Sequence, residues 1–303
     1  MIATVTPNPA VDYTVSLSEP PVSGEVLRTD RTRYDAGGKG INVAKYLDAL
    51  GTEAFATGFL GGFVGEYLEG RLAETELPAA FVDVDGTTRL NTTLLAPDEE
   101  YKINQLGPAI EPAAIDALVE SLSDREPDTV VVAGSLPPGV DPGTIDRIAA
   151  AGDWATAVDC TGDVLGELSG QYALCKPNHV ELAEATGRPV DSVESAIVAA
   201  RELCDRGFDR VVASLGPDGA VSVTDERALH APALDVEVAD TVGAGDALLA
   251  GVLGAMDRGE SPEAALKHGI AVSARVVDVS GTRVPSLKGI RSLSDRVSVA
   301  ARD

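Results

Sequence analysis

The segment Gly243-Ala244-Gly245-Asp246 combines three small residues with one carboxylate at the start of a strongly apolar run. Small residues at the beginning of a helix leave backbone N–H groups accessible, and the helix dipole adds positive potential there. Such a turn can hold a phosphoryl group during transfer, with Asp246 as the general base that takes a proton from the attacking hydroxyl. An aspartate that only caps its helix is the alternative, and this segment alone does not separate the two.

A second glycine-rich segment, Gly37 to Asn42, has the sequence GGKGIN. Its glycines allow a ligand to approach the backbone, and the Asn42 amide can bind a hydroxyl group. It is not a GxxxxGK[ST] phosphate loop, because Gly40 follows Lys39 where Ser or Thr would stand. Val43 here and Leu248 in the later segment replace the third glycine of a dinucleotide fingerprint, which argues against an NAD-dependent dehydrogenase. A purely structural turn remains the alternative.

Elements that can position these segments alternate along the chain. Their β-branched, apolar character is typical of a parallel sheet that helices cover on both faces. We predict a doubly wound α/β fold with a mostly parallel sheet flanked by helices. The predicted strands are Ile2 to Val5, Ala54 to Leu60, Thr129 to Ala133, Thr156 to Cys160, Tyr172 to Cys175 and Arg210 to Leu215, and the predicted helices include Ile41 to Leu50, Val64 to Glu74, Pro112 to Ser123 and Val193 to Asp205.

Two stretches depart from this alternation. Polar and apolar residues alternate with period two from Val11 to Tyr34 and from Arg89 to Gln105, which favours antiparallel strands outside the main sheet. We interpret residues 11–34 and 89–105 as a small β-sheet lid, and residues 1–10, 35–88 and 106–303 as the main domain. A lid beside the chemical segments can close over a site.

The charge balance restricts the binding partners. The 303 residues contain 24 Lys and Arg against 48 Asp and Glu, a net charge of -24. This field repels nucleic acid and anionic membranes, and no apolar run reaches the length of about 20 residues that a membrane helix needs. Such an excess favours a salt-rich cytoplasm, where screening reduces self-repulsion, over the alternative of a merely well-solvated acidic surface. The six lysines against eighteen arginines point the same way.

Compartment signals are few. Cys160, Cys175 and Cys204 lie in or beside apolar runs without metal-binding spacing, which indicates buried free thiols in a reducing compartment. The opening MIATVTPNPAVD lacks the basic segment and apolar stretch of an export signal. We therefore expect a cytoplasmic protein.

Taken together, these segments resemble the PfkB (ribokinase-like) family of sugar kinases. GGKGINVAKYLDALG and DTVGAGDALLAGVL are similar to its two signatures, and TPNPAVD, TRLN, YKINQLGP, VVAGSLPPGV, KPNHVEL and SLGPDGA follow in the family's order. The opening NPAVD, the lysine in the glycine turn, KIN and SLPPG are most similar to the 1-phosphofructokinases and tagatose-6-phosphate kinases.

The resemblance implies ATP and Mg²⁺ as cofactors, with residue roles that suit their chemistry. It implies Asp246 as base and the N–H groups of Gly243 to Asp246 as an anion hole. The substrate residues that follow from it and from the positive charge a sugar phosphate requires are Asp12, Arg28, Gly38, Lys39, Asn42, Arg89, Lys102 and Ser135. The nucleotide and magnesium residues it implies are Lys176, Asn178, Glu181, Ser214, Gly216 and Gly219, with Asn178 and Glu181 holding the metal through water.

The implied reaction is the ATP-dependent conversion of fructose 1-phosphate to fructose 1,6-bisphosphate. Tagatose 6-phosphate or fructose 6-phosphate as acceptor is the alternative, because similar furanoses with phosphates at opposite ends are not separated by one sequence. A sugar-phosphate sensor without turnover is a less favoured alternative, since Asp246, Asn178 and Glu181 are all present. The expected partners are small molecules, with a possible homodimer formed through the lid.

Overall fold

The computed structural model describes residues 1–279 and 284–302. Within these residues ten strands form one sheet. They are β1 (Ile2–Thr6), β4 (Ala54–Leu60), β5 (Val82–Asp83), β8 (Thr129–Ala133), β9 (Ala155–Asp159), β10 (Leu174–Cys175), β11 (Val211–Ser214), β12 (Ala220–Val223), β13 (Ala228–Ala231) and β14 (Ala300–Arg302). Their order across the sheet is β14-β13-β12-β11-β10-β9-β8-β1-β4-β5. The seven strands that lie between one edge, β5, and β11 in this order all pair in parallel. Beyond β11, the strands β12, β13 and β14 add an antiparallel edge that the sequence analysis did not predict.

Both faces of this sheet are covered, as the apolar strands predicted. In β8, Val130 and Val132 belong to one core cluster and Val131 and Ala133 to the other, and all four are fully buried. Each strand therefore contributes alternate side chains to two cores. The doubly wound α/β prediction is confirmed.

Ten helices lie within the described residues, and most flank this sheet. They are α1 (Lys39–Ala49), α2 (Gly62–Ala73), α3 (Pro112–Ser123), α4 (Pro142–Ala149), α5 (Gly162–Glu167), α6 (His179–Thr186), α7 (Val193–Asp205), α8 (Ala244–Asp257), α9 (Pro262–Val276) and α10 (Ile290–Ser294). Helices α1, α8, α9 and α10 pack on one face, and α3 to α7 pack on the other. In the part of the chain that is described, no helix has both the length and the apolar character needed to cross a bilayer.

A separate four-stranded sheet covers one end of the molecule. Its order is β3-β2-β6-β7, formed by β2 (Ala10–Ser16), β3 (Thr32–Gly37), β6 (Arg89–Ala96) and β7 (Glu99–Ile103). The expectation of purely antiparallel strands was wrong at the centre, where β2 and β6 pair in parallel. The chain reaches β6 only after passing through α1, β4, α2 and β5 of the main domain, so β6 enters beside β2 in the same direction.

The strand alternation separates the two faces of this small sheet. Val11 packs with Val64 and Leu68 of α2 in an apolar cluster. Its neighbour Asp12 faces the opposite way and lines a large cavity beneath the sheet. The small sheet is therefore anchored on α2 by its apolar face and presents polar groups to the cavity.

Candidate active site

A cavity of about 1140 Å³ lies between the small sheet and the carboxyl ends of the main-sheet strands. Residues that end or follow β10 and β11 reach it, the usual place for a ligand in an open α/β sheet. Most of the residues predicted for the site line this cavity: Asp12, Gly38, Lys39, Asn42, Arg89, Lys176, Asn178, Glu181, Ser214, Gly216, Gly219, Gly243, Ala244, Gly245 and Asp246.

Asp246 lies in the first turn of α8 and is 7% exposed. Its carboxylate accepts a hydrogen bond from Asn42 Nδ2 at 2.9 Å. Burial, followed by the charge of Asp159, raises the pKa of Asp246 to about 6, against the opposite effects of Asn42 and the nearby lysines. A carboxylate with a pKa near neutrality accepts a proton more readily than one at its usual value, so Asp246 has the environment of a general base.

The turn before Asp246 exposes backbone donors. Gly243 begins α8 with a φ of 79°, in the left-handed region that favours glycine. The Ala244 N–H is bonded to the Thr241 carbonyl at 3.2 Å, whereas the N–H groups of Gly245 and Asp246 have no acceptor among the described residues. Two amides at a helix N-terminus can thus bind an anionic oxygen. Ala244 itself contributes less than the sequence analysis predicted, because its N–H is already paired.

A buried carboxylate that the sequence analysis missed joins two of the predicted lysines. Asp159, at the carboxyl end of β9, is fully buried and lies 2.8 Å from Lys39 Nζ and 3.1 Å from Lys176 Nζ. Burial alone would raise the pKa of Asp159, but the two ammonium groups hold it below its usual value. The sequence contained a signal for Asp159, because ligands bind at the carboxyl ends of parallel strands and Asp159 lies near the end of the predicted strand Thr156 to Cys160.

Lys39 and Lys176 therefore have different surroundings from those the sequence suggested. Lys39 Nζ also lies 3.4 Å from the Glu181 carboxylate, so its charge is shared between two acids before any substrate enters. Despite burial, these acids raise the pKa of Lys39 above its usual value. Lys176 lies against the helix start, where a Cβ added to Gly245 would be 3.2 Å from its Nζ. Its ammonium group therefore lies close to Gly245, one of the two residues with a free amide.

Asn178 and Glu181 form the cap of α6. Asn178 Oδ1 accepts the N–H groups of Val180 and Glu181, and the Glu181 carboxylate accepts the N–H of Asn178 at 2.8 Å. The Asn178 oxygen thus already has two donors. Within residues 1–279 and 284–302, no three acidic, histidine or cysteine side chains are grouped as metal ligands. These donors fit magnesium bound through water, because Mg²⁺ commonly keeps several of its waters and the residues Asn178 and Glu181 both line the cavity.

Polar residues of the small sheet form the opposite wall. Asn91 Nδ2 donates to Asp12 Oδ1 at 3.0 Å across the β2–β6 pair. Burial raises the pKa of Asp12 even though Asn91 and Arg89 oppose this effect. Arg89 donates through Nε and Nη2 to the Asn8 carbonyl at 3.1 and 2.9 Å. Asn91 was not predicted as a site residue, although its alternation with Arg89 along β6 placed both on one face.

Three predicted substrate residues lie outside this cavity lining. Arg28 is exposed in the segment between β2 and β3, where no strand directs it inward. Lys102 lies on the edge strand β7 and pairs with Glu100 at 3.1 Å. Ser135 follows β8 and accepts a hydrogen bond from Asn8 Nδ2 at 3.4 Å. The cavity geometry therefore does not support the expected direct contact of Arg28, Lys102 or Ser135 with the substrate.

The cavity also extends past the end of β11. Ser214 ends β11, Gly216 and Gly219 lie on the turn that follows, and a Cβ at Gly219 would be 2.0 Å from the Ala231 carbonyl oxygen. Apolar side chains of two segments line this part of the cavity: Leu234, Val236 and Val238 after β13, and Ile270, Ala274 and Val277 at and just beyond α9. An apolar slot ending at free amides suits a flat heteroaromatic ring that carries phosphates.

The fold and this site define a carbohydrate kinase of the doubly wound α/β class with a β lid. The model of the pfkB family carbohydrate kinases matches residues 5–288, and the chain belongs to this family. It is 54% identical over 299 residues to a 1-phosphofructokinase of Haloferax volcanii, covering 99% of this chain and 98% of that protein. It is 37% identical over 279 residues to a D-tagatose-1-phosphate kinase of Bacillus licheniformis, covering 89% and 90%. The crystal structure of phosphofructokinase-2 from Escherichia coli in complex with potassium superposes with a TM-score of 0.90 at 30% identity, covering 97% of this chain and 98% of that chain.

Proposed function

We propose that this chain transfers the γ-phosphoryl group of ATP to the 6-hydroxyl of fructose 1-phosphate and releases fructose 1,6-bisphosphate and ADP. The observation that supports this most is the arrangement at the start of α8. A buried carboxylate with a raised pKa, Asp246, and two unpaired amides lie within one helical turn. A proton acceptor beside an anion-binding group is what phosphoryl transfer to a hydroxyl requires.

The reaction uses these groups as follows. Asp246 takes the proton of the sugar hydroxyl as the hydroxyl oxygen forms a bond to the γ-phosphorus of ATP. The bond between the γ-phosphorus and the β,γ-bridging oxygen breaks, and ADP leaves with that electron pair. The amides of Gly245 and Asp246 and the Lys176 ammonium group face the charge that develops on the transferred group. Magnesium, when bound, neutralises charge on the nucleotide phosphates, and Glu181 would hold it through water.

The sugar phosphate lies between the small sheet and α1 in this proposal. Asp12, Asn91 and Asn42 offer carboxylate and amide groups to its hydroxyls. Arg89 gives two of its N–H groups to the neutral Asn8 carbonyl, so its positive charge is not cancelled there. We assign the substrate's phosphate to Arg89 for this reason.

A panel of acceptors tests the proposal. An ADP-release assay with ATP and Mg²⁺ would compare fructose 1-phosphate, tagatose 1-phosphate, tagatose 6-phosphate, fructose 6-phosphate and fructose. We expect the highest kcat/KM with fructose 1-phosphate, and NMR of the product should show the new phosphate on C6. Tagatose 1-phosphate is the second candidate, because one relative is named D-tagatose-1-phosphate kinase. Fructose 1-phosphate and tagatose 1-phosphate carry their phosphate on the same carbon. Tight sugar-phosphate binding without ADP release would instead favour a sensor.

Arg89 gives the sharper test of a phosphorylated substrate. Replacing Arg89 with alanine should lower kcat/KM for fructose 1-phosphate by about 10- to 100-fold and leave that for free fructose almost unchanged, because a charge-assisted bond contributes about 1.5–3 kcal/mol. The matched control is Arg147→Ala, which removes an exposed arginine paired with Asp116. An equal loss for both sugars would contradict the assigned role of Arg89.

The lid also supports the proposal of a homodimer. Ile103 and Tyr101 on β7 and Tyr34 on β3 are exposed, which leaves an apolar strip on the small sheet. A second copy of the lid would cover this strip, and light scattering during gel filtration should give twice the chain mass. Ile103→Asp should give the monomer mass; a wild-type monomer would contradict the dimer.

We also place this activity in a salt-rich cytoplasm. Cys160, Cys175 and Cys204 are buried free thiols, as predicted, and free thiols persist in a reducing compartment. The net charge of -24 supports adaptation to high salt, and thermal melts across a KCl series test it.

A further inference from the structure

One face of helix α1 points at three parts of the site. Lys39, Asn42 and Tyr46 are spaced by three and four residues and so share a face of the helix. Lys39 pairs with Asp159, and Asn42 donates to Asp246. The proposed reaction gives Asn42 a contact with the sugar hydroxyls but gives no role to Tyr46.

Tyr46 lies directly under the turn that begins α8. The residue is 1% exposed, and a Cβ added to Gly243 would be 2.8 Å from its hydroxyl oxygen. Among residues 1–279 and 284–302 this hydroxyl has no hydrogen-bond partner. Burial, followed by the charge of Asp246, raises the pKa of Tyr46 to about 12, so the group keeps its proton and remains a donor at neutral pH.

An unpaired buried hydroxyl destabilises the protein in which it lies. A phenylalanine would fill the same space without that cost, so the hydroxyl has no packing function in the ligand-free protein. Its position beneath Gly243 instead places a donor beside the backbone that must fit around the transferred phosphoryl group. A bond formed only in the loaded state adds nothing to the stability of the free protein and stabilises the complex with both ligands.

We propose that Tyr46 is a positioning residue of the anion-binding turn, whose hydroxyl donates to a backbone carbonyl of residues 241–243 when nucleotide and sugar phosphate are both bound. This proposal rests on the kinase function proposed above. The bond fixes the turn so that the amides of Gly245 and Asp246 point at the transferred group. Helix α1 thereby positions the base through Asn42 and the anion-binding turn through Tyr46.

The variant Tyr46→Phe removes only the oxygen atom. We expect kcat/KM for the sugar phosphate at saturating ATP to fall about 3- to 10-fold, the size of one net hydrogen bond. The melting temperature of the free protein should stay the same or rise. The stabilisation produced by ADP together with fructose 1,6-bisphosphate should be smaller than in the wild type, because the bond forms in the loaded state.

Tyr172→Phe is the matched control. Tyr172 is 2% exposed like Tyr46, but its hydroxyl pairs with Asp146 away from the cavity. This control should lower the melting temperature and leave kcat/KM unchanged. The contrast separates loss of a bond in the loaded state from loss of a bond in the resting fold.

Two results would overturn the proposal for Tyr46. One is a kcat/KM for Tyr46→Phe within 2-fold of the wild type with unchanged ligand-induced stabilisation. The other is a clear drop in the melting temperature of the free variant, which would make the hydroxyl a structural donor. Wild-type turnover of fructose 1-phosphate is measured first and decides the proposed function separately. If another sugar phosphate of the panel is the substrate, the same comparison is made with it and its product.

Discussion

Asn42 Nδ2 donates to Asp246 Oδ2 over 2.9 Å and joins two glycine-rich segments that lie 204 positions apart in the chain. The bond connects the first turn of α1 to the first turn of α8, two helices that pack side by side on the same face of the main sheet. A carboxylate held in this way has a defined orientation toward the cavity. Its raised pKa then follows from where the helix places it.

Replacing Asp246 with asparagine should remove activity and stabilise the fold. The amide keeps the shape of the carboxylate but does not take up the proton, so kcat should fall by about 10²- to 10⁴-fold. At pH 7.5 the free energy of unfolding should increase by on the order of 1–3 kcal/mol, because the folded pKa of about 6 means that the buried charge is unfavourable there. ADP release and thermal melts measure the two effects. A near-normal kcat would remove Asp246 from the mechanism.

The pH profile of kcat/KM should show an acid limb near pH 6. Asp246 must be deprotonated to act as base, so activity falls as the pH drops through its pKa of about 6. Asn42→Ala should move this limb to higher pH, since the Asn42 hydrogen bond holds the pKa down. Asn91→Ala is the control, because Asn91 donates to Asp12 instead and should leave the limb in place. A limb that stays unchanged in Asn42→Ala would contradict this assignment.

Asp159→Asn should be among the most destabilising single changes at the site. It leaves the buried ammonium group of Lys176 without its carboxylate, and breaking such a pair costs about 3–5 kcal/mol. Because the folded pKa of Asp159 lies below its usual value, this stabilisation is fully present at neutral pH. The control Asp116→Asn breaks an exposed pair with Arg147 and should cost under about 1 kcal/mol. Equal urea midpoints for the two variants would show that the Asp159 network adds nothing to stability.

Stability should rise steadily from tens of millimolar to molar KCl. The net charge of -24 repels itself until salt shortens the screening length to about 3 Å at 1 M. The KM for the sugar phosphate should rise at the highest salt, because screening also weakens the attraction of Arg89. Thermal melts across a KCl series, with sucrose as control for general exclusion effects, measure this. A melting temperature independent of KCl would leave the acidic surface as simple solvation.

Much of the fold and of the site was present in local patterns. Strands such as Thr129–Ala133 and helices such as Val193–Asp205 have the bounds that their residues predicted, because a short run of apolar residues and a capping side chain such as Ser192 are local features of the sequence. The glycine-rich turns and Asp246 were recognisable for a similar reason. A helix start built from small residues has the same chemistry wherever it folds.

Only the tertiary structure decided which of these groups meet. Asp159 was one unremarked residue at a strand end until packing placed it between Lys39 and Lys176, and this contact changes both lysines from free cations into paired ones. Arg28 and Lys102 have the charge that a phosphate needs, but both lie outside the cavity lining. The sequence did not predict this, because no local pattern determines where a lid segment points. Residue type determines what a side chain can do, whereas long-range packing determines its burial, its partners and therefore its pKa.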